Sequence, residues 1–147
     1  MSDAVPDWAA HLLRETRVAR LGTADAAGRP LVVPVCYAYD GRHLYSAVDA
    51  KPKRTRQLRR LRNIAANPRV SLVVDHYDED WARLAYVIVE VPAKVLHDGP
   101  EFTQGIDLLL AKYAQYRTMG LDRTAGALIK IRVERVLAWR YAAPEGA

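Results

Sequence analysis

The sequence predicts a mainly β protein with flanking helices, in which six antiparallel strands curl and close on themselves. Three observations carry that reading. The strands of the first fifty residues are joined by turn signals rather than crossover helices, which argues against parallel βαβ winding. The strand runs are rich in β-branched and aromatic residues. Helix-spaced apolar stripes occur only at the start of the chain and between groups of strands. Antiparallel strands arranged in this way remove their edges by closing.

Residues 7 to 16 read as a short helix, with Asp7 as a candidate N-cap and Ala9, Leu12 and Leu13 as its apolar stripe. Val18 to Thr23 reads as a strand that ends at Asp25-Ala26-Ala27-Gly28. Leu31 to Tyr39 reads as the second strand. Pro34 inside it has no N–H to give to a ladder, so this strand is expected at an edge or a bulge. Asp40-Gly41 is a two-residue type I′ hairpin signal leading into a third strand, His43 to Val48. Pro52 and Pro68 bracket a helix from about Arg54 to Ala66, with Leu58, Leu61 and Ala65 as its apolar face and arginines on the others. Val70 to Val74 reads as a strand, followed by the polar loop Asp75 to Asp80. Leu84 to Leu96 reads as a long strand in which Pro92 marks a bend or bulge. A second amphipathic helix spans Phe102 to Tyr116, with Ile106, Leu109, Leu110 and Tyr113 on one face. Leu128 to Arg140 closes the set. Ile129, Ile131 and Val133 alternate there with Lys130, Arg132 and Glu134, the pattern of a half-exposed strand.

A chain of 147 residues with 50% hydrophobic and 27% charged residues fits one globular domain, here residues 1–147, with no repeat or linker. Cys36 is the only cysteine, so no intrachain disulfide can form, and the expected setting is reducing and cytoplasmic. The first eight residues lack the basic and apolar segments of a signal peptide, and no apolar run approaches membrane-spanning length. The net charge of +5 is local. Eight basic and no acidic residues lie between Lys51 and Arg69, and the remainder holds 14 basic against 17 acidic residues. Such a cluster points to one anionic partner at one place. Nucleic acid is not expected, because residues 51–69 contain no aromatic side chain on which a base could stack.

No G-x-S-x-G nucleophile motif is present. The histidines at 11, 43, 76 and 97 lack zinc spacing, and the loop Asp75 to Asp80 lacks the glycine and alternation of a calcium loop, so no metal site is expected. Cys36 reads as a small buried hydrophobe. The informative segment is Lys51-Pro52-Lys53-Arg54-Thr55-Arg56-Gln57, where a strand gives way to a helix. Unpaired N–H groups, the helix dipole, basic side chains and a hydroxyl there suit a phosphate ester. The same residues read equally well as a solvated basic helix face.

The order of several segments resembles the pyridoxamine 5′-phosphate oxidase-like flavin/deazaflavin oxidoreductase superfamily. They are Arg29 to Tyr37, then Lys51-Pro52-Lys53-Arg54-x-Arg56-x-Leu58-Arg59-Arg60-Leu61-Arg62-Asn63-Ile64, then Asn67-Pro68-Arg69-Val70-Ser71-Leu72, the stretch Asp75 to Trp81, Lys112-Tyr113-x-Gln115-Tyr116-Arg117, and Trp139. The wording is most similar to the branch that uses the deazaflavin coenzyme F420, with FMN as the alternative cofactor. Val91-Pro92, Tyr86 and Ala114 depart from the pattern, where relatives tend to carry glycine, tryptophan and proline. The resemblance implies a six-stranded split β-barrel and a homodimer with the cofactor groove at the subunit interface. It implies that the cofactor phosphate lies near Lys51, Lys53, Arg54, Thr55, Arg56 and Gln57, and its ring against Pro34, Val35, Cys36, Ser46, Ala47 and Val48.

The implied activity is hydride transfer from the reduced deazaflavin to a small unsaturated or quinone-like molecule. An FMN-dependent oxidoreductase or a non-catalytic deazaflavin-binding protein stands as the alternative. Such chemistry needs no protein nucleophile, so no catalytic residue is named. Tyr37, Trp81 and Tyr86 are candidates for walling the ring or substrate, and read equally as core or interface aromatics. The nearly unbroken apolar run Tyr86 to Val91 predicts that both faces of its strand are covered. The three predicted helices could cover the outer one in a monomer, whereas the resemblance implies a second copy of the chain.

Overall fold

The computed structural model describes residues 5–48, 55–124 and 126–142, with 55–58 described by backbone alone. The elements in chain order are α1 (Asp7–Glu15), β1 (Ala19–Ala24), β2 (Pro30–Val35), β3 (Ala38–Tyr39), β4 (His43–Val48), α2 (Thr55–Ala66), β5 (Arg69–His76), a single 3-10 turn (Trp81–Arg83), β6 (Ala85–Leu96), α3 (Pro100–Lys112), α4 (Ala114–Met119), β7 (Ala127–Arg132) and β8 (Val136–Arg140). All pairings are antiparallel and run in the order β2-β1-β5-β6-β7-β4-β3, with β8 also on β6. This path begins on β2 and ends on β3, which are consecutive in the chain. The result is a curled antiparallel sheet consistent with a split barrel.

Eight strands stand among the described residues where six were expected, because two continuous-looking runs are broken. The run Leu31 to Tyr39 divides at Cys36-Tyr37, and Leu128 to Arg140 divides at residues 133–135. Each break lets one chain segment serve two partners. β2 pairs β1 while β3 pairs β4; β7 pairs β4 and the second half of β6 while β8 pairs its first half. β6 changes partner at Pro92. Its residues 85–92 face β5, and Ala93–Leu96 face β7. Pro34 lies on β2, an end of the pairing path, as its missing N–H requires.

Several local expectations are corrected. Asp7 is the first helical residue; Pro6 precedes it and no side chain caps the helix. The 40–43 turn is closed by Gly41-Arg42, one residue later than expected. Only Gly41 has positive φ (99°), and the Asp40 carboxylate accepts from the N–H groups of Arg42 and His43. That is a II′-like arrangement rather than I′. The helix expected over Phe102 to Tyr116 starts at Pro100 and breaks at Tyr113. On α2, Ala65 faces solvent, while Asn63 and Ile64 are buried. The buried Asn63 amide donates to Thr23 Oγ1 at 3.0 Å, so α2 docks on β1 through a satisfied polar pair.

The interior is filled by alternate residues of the sheet, among them Leu21, Leu72, Val87, Val89 and Ile131, with Ala9 and Leu13 of α1 and Ile64 of α2. A second cluster joins α3 to the outer side of the sheet through Phe102, Ile106, Leu109, Tyr45 and Leu128. Gly105 makes this approach possible: a Cβ there would stand 2.4 Å from Leu128 Cδ2 and 3.1 Å from the Tyr45 ring. No helix among the described residues is long and apolar enough to cross a membrane.

Candidate functional site

The break at Cys36-Tyr37 is held open by one side chain. The Tyr113 hydroxyl accepts from the Tyr37 N–H at 3.0 Å. Its own proton is shared between the carbonyls of Tyr37 (2.8 Å) and Arg17 (2.7 Å). Tyr37 therefore spends its backbone groups on Tyr113 instead of a neighbouring strand. Its ring turns inward, and its hydroxyl donates to the Leu13 carbonyl. Lys112 lies across that ring at 4.2 Å and donates to the Thr16 carbonyl at 2.7 Å. Burial first, and then the neighbouring Arg17 charge, lower the Lys112 pKa to about 8.

The consequence is a gap in the barrel wall. β4 pairs β7 along its whole length, from His43 to Val48. On its other edge β3 covers only Leu44 and Tyr45. Ser46–Val48 thus have no strand partner on that edge among the described residues. Cys36 faces this edge, and its carbonyl accepts from Ser46 Oγ at 2.9 Å. A bare strand edge offers backbone N–H and C=O groups to whatever occupies the gap.

The residues expected to hold a cofactor ring divide around this gap. Cys36, Ser46 and Ala47 come together, with Cys36 and Ala47 packed against the α3 cluster. Val35 and Val48 turn into the interior cluster, so only their backbone is available. Pro34 is exposed and paired with Arg20, away from the others. Cys36 is half-buried, more open than the fully buried hydrophobe expected. Thr55, Arg56 and Gln57 form the first turn of α2, and Lys51, Lys53 and Arg54 lie outside the described residues. Of the aromatic candidates, Tyr37 is entirely buried and is a core residue. Tyr86 stacks on Trp139 at 5.5 Å, and Trp81 stands exposed on its 3-10 turn.

Two residues beside the gap escaped sequence reasoning. Tyr116 of α4 has its phenol next to the Cys36 thiol. Burial, then the neighbouring Cys36 and Tyr113, push its pKa up to about 12, so it is a neutral donor near pH 7. Arg60 of α2 lies near the same phenol, and burial works against its charge. Its Nε is buried with no hydrogen-bond partner among the described residues. An unsatisfied buried donor costs about 1–3 kcal/mol, more when charged, so this atom calls for an acceptor. In the sequence Arg60 is one arginine among six in a basic run, and nothing there distinguishes it. No group of three or more potential metal ligands occurs among the described residues.

Residues 5–140 match the family model described as pyridoxamine 5′-phosphate oxidase. The chain belongs to this family. Solved structures agree on the fold. A conserved hypothetical protein from Mycobacterium tuberculosis is 19% identical over 100% of this chain and 97% of its own, with a TM-score of 0.72. The heme storage protein HutZ from Vibrio cholerae is 16% identical over 88% and 89%, with a TM-score of 0.68. An FAD-binding protein from Mesorhizobium loti is 26% identical over 87% of each chain, with a TM-score of 0.65. None of the curated proteins matches the chain.

Proposed function

We propose that the chain is an oxidoreductase that holds a flavin-type cofactor, the deazaflavin coenzyme F420, in the gap between Cys36 and Ser46–Val48 and transfers hydride to a small unsaturated or quinone-like molecule. The observation that carries this reading is the bare β4 edge with the unpartnered Arg60 Nε nearby. A flat heterocycle with carbonyl oxygens and ring nitrogens suits both, because it accepts from a guanidinium and exchanges hydrogen bonds with a strand edge. The basic segment from Lys51 to Gln57 supplies phosphate-binding charge where the chain leaves β4. The family membership and the flavin-binding relative add weight to the flavin class.

When bound, the cofactor supplies the hydride; the chain's own work is to position and shield. Arg60 stabilises negative charge on a ring beside it, and the α3 cluster excludes water from one side of the gap. Tyr116, neutral near pH 7, can hold a proton beside Cys36. The outer face of β5, β6 and β8 is the surface on which a second copy docks, making the assembly a homodimer. The same gap serves an FMN-dependent oxidoreductase or a non-catalytic deazaflavin carrier.

Fluorescence titration with F420 and with FMN separates these readings. F420 is expected to bind tighter, because basic residues beyond those one phosphate needs can meet its acidic tail. An FMN affinity tenfold tighter, ~1.4 kcal/mol, overturns the choice of cofactor. Lys53→Ala with Arg54→Ala should weaken binding by about 1.5–3 kcal/mol per residue, and unchanged affinity would move the phosphate elsewhere. F420 binding without turnover of any quinone or enone acceptor would leave the carrier reading.

A further inference from the structure

Beyond the gap, the structure carries a second concave site. It opens at the hairpin that precedes β4, at the opposite end of that strand from Val48, roughly 20 Å away along six residues. The cavity has a volume of about 740 Å³, which suits a small ligand. Five arginines line it, brought there by separate parts of the chain: Arg14 of α1, Arg42 of the hairpin, Arg69 at the start of β5, Arg132 at the end of β7, and Arg135 in the break before β8. Two carboxylates, Glu90 and Glu134, also face it.

The charges do not cancel. Glu134 pairs with Arg132 at 3.3 Å, and Arg14 lies over the Tyr39 ring at 5.4 Å. Arg42, Arg69 and Arg135 have no carboxylate partner among the described residues. Five guanidinium groups against two carboxylates leave three positive charges around one concavity, where the low-dielectric wall concentrates their field. Val91, Pro92 and Val133 give the cavity an apolar lining on which a carbon skeleton can pack. Its one aromatic, Tyr39, is buried and covered by Arg14, so no base-stacking platform is offered.

We propose that this cavity binds a small multivalent anion, a molecule carrying two or more carboxylate or phosphate groups. Guanidinium forks hold such groups bidentately, and Arg42 and Arg135 line the cavity from the hairpin and from the break before β8. The site shares no residue with the gap beside Cys36, so it stands whatever cofactor that gap takes.

Calorimetric titration of the full chain with sodium tripolyphosphate, and separately with citrate, tests the proposal at low ionic strength. Saturable 1:1 binding is expected for at least one of them; which one binds tells phosphate from carboxylate. Arg42→Ala with Arg135→Ala should weaken it at least about tenfold. Both side chains are exposed outside strands, so the double variant should unfold at the wild-type temperature. A charge-matched control, Arg83→Ala with Arg123→Ala, alters two exposed arginines outside the cavity and should leave affinity within about threefold. No saturable binding of either probe, unchanged affinity in the cavity variant, or an equal loss in both double variants would each overturn the site.

Discussion

The two halves of the sheet meet their surroundings differently. Around β4 and β7 the outer face is covered: α3 lies on it, Gly105 lets the helix backbone come close, and Tyr45 and Leu128 are buried beneath. Glu101 at the start of that helix accepts from Tyr45 at 2.9 Å and pairs with Lys130 at 2.6 Å, which holds its carboxyl below the usual range. Around β1, β2, β5, β6 and β8 no helix among the described residues covers the outer face. Val32 and Leu137 stand 66% and 59% exposed there, Tyr86 stacks on Trp139, and Ile88 lies beside Leu137 in register. Both halves use the same alternation, with Val87, Val89, Ile129 and Ile131 turned inward. The difference teaches that alternation fixes which residues fill the barrel, while the cover on the outside is a separate decision. One half takes it from its own chain, and the other leaves apolar side chains exposed.

The largest way to break this comparison acts on the covered half. Gly105→Leu forces the helix off Leu128 and Tyr45 and should cost about 3 kcal/mol, the upper end for overpacking. Urea unfolding measures it, and a loss under about 0.5 kcal/mol would mean that α3 does not depend on the close approach.

On the uncovered half, Leu137→Asp with Trp139→Asp should raise the dimer dissociation constant at least about hundredfold, ~2.7 kcal/mol. Sedimentation reads the association. A wild-type chain that sediments as a monomer at micromolar concentration, while still binding cofactor, would refute the partner-covered face.

The smallest effect sharpens the boundary of the cover. Lys112, at the end of α3, has a folded pKa of about 8 against an ordinary 10.5. Between these values the unfolded chain binds more protons than the native one, so stability should rise as pH goes from about 8 toward 10. The group is half-exposed, which limits the gain to below about 1 kcal/mol. Lys112→Met should flatten this part of the profile, and an unchanged slope in the variant would assign it to another group.

The site was legible in the sequence to an uneven degree. Cys36, Ser46 and Ala47 come together in the structure, and the strand pattern around them was readable from β-branched and aromatic runs. Val35 and Val48 turn inward because alternate residues of a strand take opposite faces, and the alternation runs unchanged through the break at Cys36-Tyr37, with Tyr37 and Tyr39 inward and Cys36 and Ala38 outward. The break itself gave no local signal, since Cys36-Tyr37 contains neither glycine nor proline. Its cause is Tyr113, 76 residues away. Arg60 and Tyr116 were missed for a similar reason: what singles them out is burial beside Cys36, which only the approach of α2 and α4 creates.

What the sequence by itself determined is local or periodic. It set the order of the helical and strand segments, the inward residues of β7, the edge position of the Pro34 strand, and the family to which the chain belongs. These follow from backbone sterics, from the two-residue period of a strand and from motif order, all of which act over a few residues. The tertiary structure alone decided where two strands divide, which edge of β4 stays bare, which arginine loses its hydrogen-bond partner and which five arginines share one cavity. Those outcomes depend on contacts between segments far apart in the chain, and the free energy of such contacts is set by packing and desolvation that exist only once the chain has folded.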